Sequence, residues 1–358
     1  MTVRTRSECV GGTRRRGGSA LIIVLWVIGL MSILVMSFAF DAHLEAKVTS
    51  YYRKRTRAQY LAQSGMEIAK WLMAKSGTID PRADPPADAD KWYADARSLA
   101  AGSALSRSYP LGDGEVQLEI VTEQARRSVN HLKREEDWEP ILDAIGVPEE
   151  MWPELIDSFL DWTDADDGAR ADGAETADHY QTLEPPYRAR NGDLYAVEEL
   201  LLIKGFNRAI VYGGPLNAEE GAGGDDDDPI LIDGGGLSTL LTVFGEQKVN
   251  INAAPYEVLM TLPDSQSDID LLVGKILEER EATTNYDGTI EDHYFEDDAD
   301  IGSRTGMTAE QLQYVTTASS TYFRITARGR VQNVERKVWC TVQRNGSMLT
   351  ILRWIEDD

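Results

Sequence analysis

Residues Arg14–Asp41 read RRRGGSALIIVLWVIGLMSILVMSFAFD, and the rest of the chain has to be read from this stretch. Three arginines and two glycines lead into an uncharged run from Ser19 to Phe40, which ends at Asp41. A helix rises about 1.5 Å per residue, so about 20 apolar residues cross a hydrocarbon core of roughly 30 Å. The run therefore predicts a membrane-spanning helix at 19–40. A secretory signal has a shorter apolar region, about 7–15 residues, followed by a small-x-small cleavage site. Here the run closes on Phe38, Ala39, Phe40 and Asp41, which offer none. Arg4, Arg6, Arg14, Arg15 and Arg16 precede the run, whereas Asp41 and Glu45 follow it. The positive-inside rule then puts the N-terminus in the cytoplasm and everything after residue 40 outside.

Composition agrees with an exported acidic body. The 358 residues carry a net charge of −24, and removing residues 1–18, with five arginines and one glutamate, leaves −28. Such a surface repels nucleic acid and anionic lipid. Of the two cysteines, Cys9 lies before the apolar run and Cys340 lies in a strictly alternating stretch beside Val338 and Val342. Cys340 therefore reads as a small buried apolar residue.

Beyond the span, Leu44, Val48, Tyr51, Ala58, Leu61, Ile68 and Leu72 recur at helical spacing until Gly77 and Pro81, so the helix is expected to continue. DPRADPPADAD (80–90) is a polar connection. GEVQLEIVTE (114–123) alternates Val116, Leu118 and Ile120 against polar neighbours; 321–344 reads as two strands around a turn at Gln332 and Asn333, and MLTILRWI (348–355) as a further strand. Between the early and late strands PEEMWPELIDSFLDW (148–162), YAVEELLLIKGF (195–206) and DIDLLVGKILEER (268–280) read as helices. The pattern is α+β: a long N-terminal, partly transmembrane helix packed on an antiparallel sheet, with a large inserted α-helical domain.

The basic leader, Gly18 and the apolar helix from Ser19 resemble the prepilin leader of type IV pilins and type II secretion pseudopilins. The resemblance implies cleavage between Gly18 and Ser19 by a prepilin peptidase. Most such proteins carry glutamate at the fifth mature position; counting from Ser19, this chain has Ile23. Among type II pseudopilins the K-type minor pseudopilin characteristically has an apolar residue there. Leu155–Tyr187, LIDSFLDWTDADDGARADGAETADHYQTLEPPY, and Arg188–Phe206, RARNGDLYAVEELLLIKGF, resemble the same family closely. In these families the glutamate is thought to neutralise the free amine of a neighbouring subunit in lipid, where an unpaired charge is costly. A subunit with nothing above it has no such amine to meet, so Ile23 fits a tip position. The resemblance implies a leader at 1–18, a span at 19–40, the pseudopilin helix and first strands at 41–125, an insert at 126–318 and returning strands at 319–358. It further implies an inner-membrane, single-pass protein with a periplasmic body. Its partners would be the I- and J-type minor pseudopilins, the major pseudopilin and the inner-membrane secretion platform, and its role would be to initiate and cap the filament.

Asp161, Asp164, Asp166 and Asp167 follow the C-terminal end of an amphipathic helix, where the macrodipole already disfavours anions. Glu175 and Asp178 come soon after, with only Arg170 in opposition. A hard, oxygen-seeking cation with flexible geometry, Ca2+, would turn this repulsion into attraction. Counted as an EF-hand from Asp164, Asp166 falls at position three and Glu175 at twelve, but Ala169 stands where glycine is needed. The stretch is not an EF-hand. Ca2+ on Asp164, Asp166, Glu175 and Asp178 therefore rests on charge clustering and on the resemblance, since K-type pseudopilins bind calcium. Asp225–Asp228 read as a solvated loop, and Glu291, Asp292, Glu296, Asp297, Asp298 and Asp300 as a weaker second candidate.

A rival reading starts from Lys248–Arg280, KVNINAAPYEVLMTLPDSQSDIDLLVGKILEER, which looks like a helix-hairpin-helix unit (248–281). That would make the chain a membrane-anchored DNA-binding protein of an uptake system. Its hairpin, Leu262–Asp268, has no glycine to bring amides to a phosphate, and it carries two carboxylates. It reads better as a packing unit. Catalysis finds no footing: His43, His131, His179 and His293 are scattered, and no nucleophile-elbow or phosphate-loop pattern occurs.

Overall fold

The computed structural model describes residues 19–358 apart from residues 84, 217–229, 233, 263–268, 282, 285–289, 292, 319–320, 347 and 357–358. The chain divides into two units, residues 1–57 and residues 58–358. One helix, α1 (Ser19–Ser76), runs through both.

The described part of the first unit is helical throughout. Its apolar side chains from Leu21 to Phe40 are exposed, as are Leu44, Val48 and Tyr51. The best window reaches a mean hydropathy of 2.8, so this helix is long and apolar enough to cross a membrane. Gly18 lies outside the described residues; Ser19 opens α1, and Ile23 is exposed on it.

The second unit is built on a five-stranded antiparallel sheet in sequence order. Its strands are β1 (Leu105–Leu111), β2 (Gly114–Thr122), β3 (Tyr322–Val331), β4 (Val334–Asn345) and β5 (Met348–Glu356). Val116, Leu118 and Ile120 all point into the core, as their alternation predicts. Cys340 does the same beside Val338 and Val342, and burial pushes its thiol up to about 12. Gln332 takes a positive φ of 55° in the two-residue turn between β3 and β4.

The C-terminal part of α1 lies on this sheet through small residues. Ala58, Ala62, Gly65, Met66, Ala69, Leu72 and Met73 are buried, whereas Leu61 and Ile68 are only partly covered. The contact is closest at Gly329 of β3, where a Cβ would run into the Ala58 carbonyl and the Ala62 amide. Any larger residue there would lift the helix off the sheet. A second helix, α2 (Lys91–Ala100), follows the polar connection and is capped by Asp90, whose side chain accepts from the Tyr93 amide.

The chain leaves the sheet at Thr122 and rejoins it at Tyr322, and the intervening insert has its own apolar core around Trp138, Phe159, Tyr180 and Phe295. Its longer helices are α3 (Glu135–Ala144), α4 (Trp152–Thr163), α5 (Ile269–Glu279) and α6 (Asp298–Thr305), joined by shorter helical turns and irregular stretches. The helix expected over 195–206 does not form. Only Val197–Leu202 coils, as a 3-10 turn. That geometry eclipses residues three apart, and it buries Leu200 and Ile203 together.

Insert and sheet keep separate apolar clusters, and polar groups join them. At the root, Glu123 accepts from Thr242 Oγ1 of the insert at 2.7 Å and from Arg324 Nε of β3 at 3.0 Å. Arg126 Nη1 approaches Glu123 at 3.8 Å, too far for a hydrogen bond, and makes no hydrogen bond among the described residues. Burial and the Arg324 charge bring its guanidinium down to about 10. Asn250 and Asn252 add a second tie, donating to the carbonyls of Gly102 at 2.9 Å and Ala101 at 3.2 Å.

Candidate functional site

The acidic turn after α4 is organised around one buried carboxylate. Asp161 lies on the face of α4 that also buries Ser158, Phe159 and Trp162. Its Oδ2 accepts from the backbone amides of Arg170 and Ala174, both at 3.0 Å. The loop is drawn so tightly around it that a Cβ on Gly173 would collide with that oxygen. Asp157 Oδ2 takes the Asp172 amide at 3.1 Å. Lys204 Nζ reaches the Asp172 carbonyl at 3.0 Å and Glu154 at 3.2 Å. Asp164 ends the helix in an extended conformation. Asn191, held at φ 48°, closes the turn by donating its amide to the Trp162 carbonyl at 2.9 Å and its Nδ2 to the Asp166 carbonyl at 3.1 Å.

Among the described residues, this backbone leaves four buried acceptors here with no donor: Asp161 Oδ1, Asp164 Oδ1, Glu175 Oε1 and Asn191 Oδ1. Arg170 Nε comes to 3.3 Å from Asp161 Oδ1, but without the alignment of a hydrogen bond. Glu175 is 1% exposed, and its Oε2 alone is served, by the Thr176 amide at 3.1 Å. Burial raises the Glu175 carboxyl above the usual range; the Thr176 amide works against this, and the charges of Asp161, Asp164 and Asp167 add to it. Burial likewise raises Asp164, with Asp166 and Asp161 pushing the same way and Arg170 opposing. The neighbouring Tyr180 hydroxyl is pushed up to about 12, chiefly by burial.

Buried acceptors without donors cost free energy, more so when charged. Hard anionic and carbonyl oxygens of this kind suit calcium. The set is open: among the described residues no three Asp, Glu, His or Cys side chains converge into a closed ligand cluster. Of the residues expected from the sequence, Asp164 and Glu175 come together here. Asp166 Oδ1 is occupied by the Gly168 amide at 2.8 Å, and Asp178 is exposed. Asp161, counted in the acidic cluster but not among the expected ligands, also takes part, as does Asn191, which was not singled out. A charged residue on the buried face of an amphipathic helix was the available signal for Asp161; the Asn-Gly pair at 191–192 signalled only a turn.

The other acidic stretches behave differently. Asp225–Asp228 and Asp292 lie outside the described residues. Asp297 caps α6 by accepting from the Asp300 amide at 2.9 Å, and Asp300 pairs with Arg304 at 3.2 Å. These carboxylates have protein partners. In the hairpin unit, residues 263–268 lie outside the described residues. The flanking Val258, Leu259, Val273 and Ile276 are buried in the insert core, and Arg280 donates to the Ile251 carbonyl at 2.7 Å.

An N-terminal helix long and apolar enough to cross a membrane, whose C-terminal part lies on an antiparallel sheet with a large domain inserted between the second and third strands, gives the architecture of a pilin-like subunit. Residues 17–67 match the PilX N-terminal family model, and residues 118–212 match that of type II secretion system protein K. The chain is 27% identical over 210 residues to type II secretion system protein K of Aeromonas hydrophila, a match over 54% of this chain and 60% of that one. With the Pseudomonas aeruginosa protein K it shares 25% over 203 residues, 53% of this chain and 58% of that one. The matched stretch thus spans less than two thirds of these relatives. The fold is also that of a chain in the GspK-GspI-GspJ complex of enterotoxigenic Escherichia coli, with a TM-score of 0.55, 15% identity, and coverage of 87% and 99% of the two chains. Taken together, the family-model matches, the similar proteins and the shared fold support type II secretion system protein K, a minor pseudopilin, as the family this chain resembles.

Proposed function

We propose that this chain is the tip subunit of a periplasmic pseudopilus, where it initiates and caps the filament that drives export across the outer membrane. It is made as a prepilin, cut after Gly18 by a prepilin peptidase, and held in the inner membrane by residues 19–40 with its body in the periplasm. Its role is assembly rather than catalysis. I- and J-type minor pseudopilins, the major pseudopilin and the inner-membrane platform are its partners; the solved relative in complex with two other pseudopilins supports the first pair. Calcium, held by Asp161, Asp164, Glu175 and Asn191 with Asp166 and Asp178 at its margin, would offset the repulsion in the acidic turn and tie it to the end of α4.

Ile23 carries the tip reading, because it sets an apolar side chain where a shaft subunit needs a carboxylate for its neighbour's amine. Cells carrying Ile23→Glu as the only copy should assemble poorly or incorporate the subunit along the shaft. Ile23→Leu should be silent, since volume and apolarity are kept. Filament imaging and secretion assays read the outcome. Tip-only placement and normal secretion for both variants would show that Ile23 does not specify position. N-terminal sequencing of the membrane-bound protein should start at Ser19; a retained leader would leave an ordinary anchored protein.

A further inference from the structure

Beside α1, the sheet domain carries an aromatic ladder that none of the roles above uses. Trp71 of α1 stands edge-on to Trp92 of α2, with centroids 5.9 Å apart and planes at 90°. Trp92 stacks flat on Tyr109 of β1, at 4.7 Å and 7°. Tyr109 is fixed in turn, its hydroxyl donating to the buried Asp95 at 2.8 Å. One end of this ladder already takes a cation: Lys91 Nζ lies 4.9 Å from the Tyr109 ring centroid. At the other end Trp71 is 51% exposed. With Ile68 and Trp92 it floors an open groove of about 500 Å³ rimmed by Glu67 and Asp90.

Rigid aromatic surface of this kind is the commonest energetic centre of protein interfaces, because it offers large apolar area with little side-chain entropy to lose. Two carboxylates beside an indole face select a cation. A guanidinium lies flat on the indole and forks to a carboxylate, which a compact ammonium cannot do. Asp90 is engaged in capping α2. Among the described residues Glu67 pairs with Lys70, in an exposed contact at 2.6 Å, and such pairs give way readily. The net charge of −24 draws basic partners toward the body and opposes a second copy of this chain.

We propose that the Trp71–Trp92 groove is a docking site for an arginine-bearing segment of a partner polypeptide, its guanidinium stacked on Trp71 and paired with Glu67. The site belongs to the sheet domain and does not depend on the tip role of Ile23.

The probe is a fluorescently labelled alanine-based peptide with arginines four residues apart, titrated into the full-length protein in detergent micelles and followed by anisotropy. Its counterpart carries citrulline, which keeps the shape and removes the charge. The arginine peptide should bind, with the citrulline peptide about tenfold weaker. Trp71→Ala should weaken binding about tenfold, Glu67→Gln about threefold, and Trp71→Phe least of all. Trp71 is an exposed helical position where alanine is well tolerated, and circular dichroism checks that the fold persists. An acidic surface also gathers cations diffusely, so unchanged affinity in Trp71→Ala would overturn the site, as would equal binding of the two peptides or no binding at all. Self-association that Trp71→Ala abolishes, without any response to the arginine peptide, would overturn it in favour of a second copy.

Discussion

Glu123 and Glu175 are each 1% exposed, yet the protein treats them in opposite ways. At the root of the insert, Glu123 receives a hydroxyl and two guanidinium groups, so its charge is met from the insert and from the returning strand. In the acidic turn, Glu175 has one amide for one oxygen and nothing for the other, and its charged neighbours Asp161, Asp164 and Asp167 are of its own sign. A buried carboxylate is stable where the fold brings cations to it. Where the fold brings further carboxylates, a proton, a metal ion or water can take that place. The first region is closed by the chain itself; the second keeps buried acceptors that no donor among the described residues serves.

The largest effect should come from breaking the closed region. Glu123→Ala leaves Arg126 and Arg324 facing each other without their anion, a loss of about 3 kcal/mol, at the low end for such pairs because Arg324 is partly exposed. The cost should be the same in calcium and in chelator, and urea unfolding reads it. A loss below about 1 kcal/mol would show that the asparagine ties, not this clasp, hold the root.

The open region should respond with a change of sign. In chelator, Glu175→Gln removes a negative charge from beside Asp161 and Asp164 and should raise the melting temperature. In millimolar calcium the same substitution removes a ligand and should lower it. Wild-type protein should gain stability by RT ln(1 + [L]/Kd), about 2.7 kcal/mol at a hundredfold excess over Kd, and Asp164→Ala should reduce that gain. Melting curves that coincide in chelator and calcium would leave the turn an acidic loop and remove the contrast with Glu123.

This contrast was only half legible in the sequence. Val116, Leu118, Ile120 and Cys340 revealed the sheet because a half-buried strand alternates. β1 stayed hidden: only Leu105 and Tyr109 of LSRSYPL are buried, four residues apart, and Pro110 discourages a strand assignment although an edge strand tolerates it. The seam of α1 was only partly placed: Ala58 and Leu72 lay in the pattern and are buried, whereas Ala62, Gly65 and Ala69 pack by being small, which a hydrophobic pattern does not register. In the acidic turn, Asp164 and Glu175 stood out through charge density and spacing. Asn191 is brought in by a backbone contact across 29 residues, to the Trp162 carbonyl, and no local pattern encodes that approach. Glu123 and Arg324 are 201 residues apart and meet only because β2 pairs with β3.

The smallest effect, and the most discriminating, is on the pH dependence of stability. Asp164 and Glu175 both have carboxyls raised in the folded protein. Between the ordinary carboxylate range and those raised values the folded state holds more protons than the unfolded one, so this contribution to stability falls as pH rises through that window. Acidifying chelated protein from neutrality toward the window should therefore stabilise the turn. Calcium competes with those protons: a bound cation favours the ionised forms, and the slope should flatten and then reverse as calcium is added. Urea midpoints across the window, measured in chelator and in calcium, give the two slopes. The double variant Asp164→Asn, Glu175→Gln should show neither, while Glu123→Gln should keep both, because its partners are protein cations that calcium does not replace. If chelated wild type and the double variant share one slope, the two carboxylates are not the groups that hold the extra protons, and the acidic turn is as self-sufficient as the root.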